Sequence, residues 1–115
     1  MAEFVMIIAQ DESAVPNVPQ EQFEKVFAWW QANEEAGRLK AGLGRRLQPS
    51  STARTVNVSA NGGGTSVTDG PFIEAKEMIG GYGVIEAPTI EEAVRIASGW
   101  PAGPATIEVR PVMTM

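Results

Sequence analysis

Gly80 to Gly99 reads G-G-Y-G-V-I-E-A-P-T-I-E-E-A-V-R-I-A-S-G, and its pattern changes twice. Tyr82, Val84 and Ile85 are β-formers, so Gly80 to Glu86 reads as a strand, and Pro88 ends it because proline lacks the N–H that a ladder needs. Thr89-Ile90-Glu91-Glu92 matches a capping box, in which the threonine hydroxyl and the Glu92 carboxylate satisfy each other's free backbone N–H groups. A helix begins there. Its apolar positions Ile90, Ala93, Val94 and Ala97 share a face, and Gly99 closes it.

Beyond that helix, Thr106 to Val112 (T-I-E-V-R-P-V) alternates, with Ile107 and Val109 facing one way and Glu108 and Arg110 the other, as in a strand with one buried face. At the opposite end of the chain, Phe4 to Ala9 (F-V-M-I-I-A) is apolar without a break and reads as a central strand buried on both faces. A loop with Pro16 and Pro19 leads into Glu21–Ala36, where Phe23, Val26, Phe27 and Trp30 recur at i, i+3, i+4, i+7 and Gly37 stops an amphipathic helix. Arg38 to Gly44 alternates weakly and predicts a second strand. Thr52–Ser59 and Thr65–Thr68, on either side of Ala60-Asn61-Gly62-Gly63-Gly64, predict a β-hairpin.

The order is strand, helix, strand, hairpin, strand, helix, strand. That is an α+β chain on the ferredoxin-like βαββαβ plan with an inserted β-hairpin. Its two helices can cover only one face of the sheet. The expected cover for the other face is a second copy of the chain, giving a homodimer through the sheet face with the strands at 4–9 and 106–112 at its centre.

A length of 115 residues fits one domain, and 43% apolar with 20% charged residues is a globular composition rather than a disordered one. The net charge of -5 provides no basic field, so nucleic acid is not an expected partner. No apolar run approaches the roughly 18 residues needed to cross a bilayer, and Met1-Ala2-Glu3 is not a positive leader, so the expected location is the cytoplasm with no membrane partner. The chain has no cysteine and no histidine. Disulfides, thiol catalysis, the common zinc ligands and any Ser-His-Asp arrangement are thereby excluded, and acid–base work falls to Asp, Glu, Lys or Tyr.

Gly62-Gly63-Gly64 lacks the Lys-Ser/Thr of a phosphate loop and Gly81-Tyr82-Gly83 opens no helix, so these read as turn or close-packing glycines and no cofactor is expected. Asn57-Val58-Ser59 matches a glycosylation sequon by accident, without a secretory signal. Trp30 lies on the stripe of its helix and reads as core; Trp29, about 100° away, covers either the rim of a subunit contact or the edge of the sheet. Arg45, Arg54 and Arg110 read as surface groups paired to the excess acids, or as orienters of an anionic ligand.

Thr68-Asp69-Gly70-Pro71-Phe72-Ile73-Glu74-Ala75-Lys76-Glu77 is the segment that routine packing does not explain. Asp-Gly-Pro is good turn chemistry, yet a proline-stiffened turn also holds a carboxylate in place at small entropic cost. Asp69 is the candidate catalytic residue, with Gly70, Pro71, Phe72, Lys76, Glu77 and Tyr82 as candidate binding residues around it. No metal is expected; an oxygen-only Mg²⁺ or Ca²⁺ site would draw on Asp69, Glu74 and Glu77, with Lys76 opposing it.

D-G-P-F, followed by E-x-K-E and Gly80-Gly81-Tyr82, resembles the DGPF subgroup of the YCII-related proteins. The resemblance extends over nearly the whole chain, through F-V-M-I-I-A, G-R-L-K-A-G, L-Q-P-S-S-T-A-R-T-V and I-E-V-R-P-V in order. It implies a ferredoxin-like subunit that pairs sheet to sheet as a dimeric α+β barrel. Relatives in the wider group carry a His and an Asp that look like a catalytic pair; the Asp maps onto Asp69, and the His has no counterpart here. The resemblance implies no one reaction; the residues point to a lyase- or isomerase-type reaction on a small organic substrate with Asp69 as acid or base, or to a structural or interaction subunit acting through its surface. The alternative is a non-catalytic small-molecule-binding or regulatory module, since DGPF proteins are often encoded beside alternative sigma factors.

Overall fold

The computed structural model describes residues 1–72 and 75–114, apart from the side chains of residues 15–17. Strand β1 (Ala2–Asp11) lies inside a four-stranded sheet, as an apolar run on both faces requires. It pairs antiparallel with β5 (Glu77–Ala87) on one side and β6 (Thr106–Pro111) on the other, while β2 (Arg45–Arg46) pairs with the far edge of β5. With α1 (Gln20–Glu35) and α2 (Ile90–Ala97), the order β2-β5-β1-β6 makes an α+β chain consistent with a ferredoxin-like fold.

The register sorts the side chains into two faces. Phe4, Met6 and Ile8 of β1 lie opposite Ile85, Gly83 and Gly81 of β5, and this face holds the core. Met6 and Ile85 are fully buried, and each such side chain stabilises the fold by about 1.5–3 kcal/mol. Helix α2 covers them with Ala93, Ile96 and Ala97, whereas Ile90 and Val94 of the expected stripe stay exposed. The helix is turned so that its two small alanines permit close approach and Ile96 enters the core between them. At its start, Thr89 Oγ1 accepts from Glu92 N at 3.2 Å, while the Glu92 carboxylate turns outward to Arg95 instead of back to Thr89.

The second strand departs from expectation. Arg38 to Lys40 bonds to β5 through Glu86 N to Arg38 O and Lys40 N to Val84 O, both 2.9 Å, and the chain then turns away. Gly42 at φ +80° and the 3.3 Å bond from Leu43 N to Lys40 O form that turn, and pairing resumes at Arg45–Arg46. The expected strand over Arg38–Gly44 is therefore an edge strand broken by its own glycine.

A separate two-stranded sheet, β3 (Arg54–Val58) and β4 (Thr65–Asp69), stands away from the main sheet. Val56, Val58 and Val67 are on one face of it, all exposed. On the main sheet, the face opposite the helices presents Val5, Ile7 and Ala9 beside Val84, Tyr82 and Ile79, flanked by the Lys40–Glu3 and Arg110–Glu108 ion pairs. Neither helix packs on this face.

Candidate functional site

Helix α1 touches the sheet at Trp30. Its indole fills the space left by two glycines so closely that a Cβ on Gly44 would stand 2.1 Å from Cζ2, and one on Gly83 2.9 Å from Cη2. Nearer its N-terminus the helix stands off. Phe23, Val26 and Phe27, expected to close onto the sheet as core, instead border a cavity of about 450 Å³ between α1 and the β5–β1 face. Phe27 is 71% exposed. The cause lies in β5: beneath α1 it carries Gly80 and Gly81, which have no side chains to fill the gap.

Ile8 and Gly81 floor the cavity, and Trp100 with the loop at Ala102–Pro104 walls its far side. Trp29, Trp30 and Trp100 meet edge to face, with centroids 5.3 to 6.3 Å apart, which is the favoured geometry for aromatic quadrupoles. Trp29 is thus a half-buried member of this cluster at the helix side of the sheet. The frame is rigid behind them. Asn33, 6% exposed, donates from Nδ2 to Trp29 O at 2.8 Å and accepts from Arg38 Nε at 2.6 Å, fastening the end of α1 to the turn that follows.

Three charged residues line the cavity: Asp11, Arg45 and Arg46. Asp11 accepts from Ser13 Oγ at 2.6 Å and Ser13 N at 3.0 Å, and these bonds hold its carboxyl below the usual carboxylate range. Arg46 shares the cavity side with its register partner Gly81, and its guanidinium carbon stands 4.6 Å over the Phe23 ring. Arg45, one residue earlier and opposite Tyr82, donates to the carbonyls of Gly42 and Gly44.

The residues singled out from sequence lie elsewhere and apart. Asp69 ends β4 with its side chain 89% exposed, 3.1 Å from Arg54 Nε. Gly70 adopts φ +93°, donates to Ala53 O at 2.8 Å and accepts from Thr55 Oγ1 at 2.7 Å, so the Asp-Gly-Pro turn is anchored on β3. Pro71 is half-buried and Phe72 exposed. Lys76 is exposed, Glu77 accepts from Thr106 Oγ1 at 3.0 Å on β6, and Tyr82 is on the open sheet face. None of these borders the cavity. Glu74 is outside the described residues, and among those described no three acids gather as a metal site would require.

The sequence pattern of the YCII-related domain matches residues 2–115. The chain belongs to the YCII-related family. It is also similar to an uncharacterised protein of Rhizobium meliloti (strain 1021), 35% identical over 116 residues that cover 95% of this chain and 90% of that one. In this YCII-related domain the cavity offers a mainly apolar, aromatic-walled space with two arginines, Arg45 and Arg46, on its lining. The carboxylate on its lining, Asp11, is held ionised and hydrogen-bonded, a state suited to structure rather than to taking a proton. Sequence reading passed over Arg46 and Asn33; the signal available for the cavity was the run of glycines opposite a tryptophan-bearing helix.

Proposed function

We propose that this YCII-related domain is a non-catalytic small-molecule-binding module whose site is the cavity between α1 and the sheet. The observation that carries this reading is the cavity itself, at about 450 Å³ within the range of small-ligand pockets, with apolar and aromatic walls and few polar groups. A thermal-shift and tryptophan-emission screen of small organic molecules tests it. Hits should saturate and be lost in Val26→Trp, a cavity-filling variant checked for native folding by circular dichroism; hits that survive in that variant would contradict the site.

The competing reading, a lyase- or isomerase-type reaction with Asp69 as base, needs that residue beside a substrate cleft. In the single chain it is a surface carboxylate paired with Arg54. Only an assembly that lays the Asp69 turn against another surface would supply a cleft, and a regulatory role beside a sigma-factor system places no such demand.

The working unit is a homodimer built as an α+β barrel, with β3–β4 as a hairpin inserted into the ferredoxin-like plan and the chain a DGPF-type member of its family. The exposed surface supports this: 7964 Å² against roughly 6,100 Å² for a folded monomer of 12.3 kDa. The radius of gyration, 16.1 Å against about 13 Å for this length, points the same way.

A further inference from the structure

Resting on the small-molecule reading, we propose that the ligand of the α1–sheet cavity is an aromatic monocarboxylate, its ring system among Trp30, Phe23 and Ile8 and its carboxylate on the guanidinium of Arg46. Ring faces and edges from Phe23, Phe27, Trp30 and Trp100 converge on the cavity, and aromatic ligands gain from such walls beyond simple area burial. Arg46 defines the other half of the ligand. Its guanidinium carbon stands 4.6 Å from the centroid of the Phe23 ring, which places at the cavity a planar fork of N–H donors suited to gripping a carboxylate in a bidentate pair. The other arginines of the sheet and arm have partners in the chain: Arg54 with Asp69, Arg110 with Glu108, and Arg45 with two carbonyls. Among the described residues no carboxylate lies within ion-pair distance of Arg46.

Charge sets the number of anionic groups at one. Arg46 is on β2 and Asp11 at the end of β1, two strands across and three residues along from Ile8, which separates their backbones by roughly 14 Å. A single carboxylate at Arg46 balances that cation and leaves Asp11 to its serine. A doubly charged phosphate would exceed the lining's net charge of one, from Arg45 and Arg46 against Asp11.

Three probes decide this by tryptophan-emission titration and calorimetry on the intact protein: naphthoate, its neutral counterpart naphthalenemethanol, and naphthyl phosphate. Naphthoate should bind about tenfold or more tightly than either of the others. Arg46→Gln should remove that preference and leave naphthalenemethanol within about twofold, while Arg54→Gln, on the arm, should change neither. Equal binding of acid and alcohol, unmoved by Arg46→Gln, would overturn the ligand class and leave the cavity reading standing. Preference for the phosphate, or loss of naphthoate in Arg54→Gln alone, would also overturn it. Failure of all three probes to bind would overturn the ligand class, while the cavity reading would still be decided by the wider screen and its Val26→Trp variant.

Discussion

The indole of Trp30 occupies the volume that a side chain at Gly44 would need, with Cζ2 only 2.1 Å from where that Cβ would lie. This contact fixes where α1 meets the sheet, and so how far its N-terminal half stands away. Helix, glycine and cavity form one arrangement: the tryptophan docks between Gly44 and Gly83, and the open space lies beside it.

Gly44→Ala should therefore force Trp30 out of its slot. Overpacking of this kind costs about 1–3 kcal/mol, readable as a lower urea midpoint, and the displaced indole should shift its emission to the red. An unchanged midpoint and spectrum would mean that the helix does not rest on this contact.

Asn33→Ala should destabilise the fold by about 1–2 kcal/mol, because it removes the two bonds by which a buried side chain ties the Trp29 carbonyl to Arg38 Nε. Urea denaturation measures it. A surface substitution such as Gln31→Ala, on an exposed position of the same helix, should stay within about 0.5 kcal/mol.

The strands were legible because alternation and continuous apolar runs report burial directly, as at Phe4–Ala9 and Ile107–Val109. The cap at Thr89 was legible for the same local reason. The cavity was not. A stripe such as Phe23, Val26 and Phe27 looks the same whether it closes onto a sheet or lines a space, and the decision is made by glycines distant in sequence. The broken second strand was hidden in a weak alternation whose Gly42 gave the turn away only through its positive φ. The Asp69 segment stood out in sequence for its turn chemistry, and the structure does use Gly70 as a turn. Its neighbours in sequence scatter to β4, β5 and the open sheet face.

Acid should erode stability through two carboxylates. Asp11, hydrogen-bonded by Ser13, and Glu92, bonded to Arg95, both titrate below their ordinary values of 3.8 and 4.5 in the folded chain. A depressed folded pKa means the contribution is complete above the ordinary value and is lost as pH falls through the lower one. Stability measured by urea should thus show no loss from these groups between neutrality and about pH 5, and a fall below it that is shallower in Asp11→Asn/Glu92→Gln. An equal fall in the double variant would show that these bonds carry no linkage.

If the proposed homodimer forms through the open sheet face, Val84→Lys should split it, since Val84 is paired with Val5 at the middle of that face. Light scattering at micromolar concentration should give twice the mass of 12.3 kDa for the native chain and a single mass for the variant. A native monomer would contradict the assembly and leave the cavity untouched.

In the proposed binding mode, the space between α1 and the sheet receives the ligand and the turn at Asp69 does not. Amide and indole NMR shifts during a naphthoate titration test it most directly. The indole N–H signals of Trp30 and Trp100 and the amides of Gly80 and Gly81, all on the cavity lining, should move together and saturate while those of Asp69 and Gly70 stay in place. Saturating shifts at Asp69 and Gly70, with Trp30, Trp100, Gly80 and Gly81 unmoved, would contradict it.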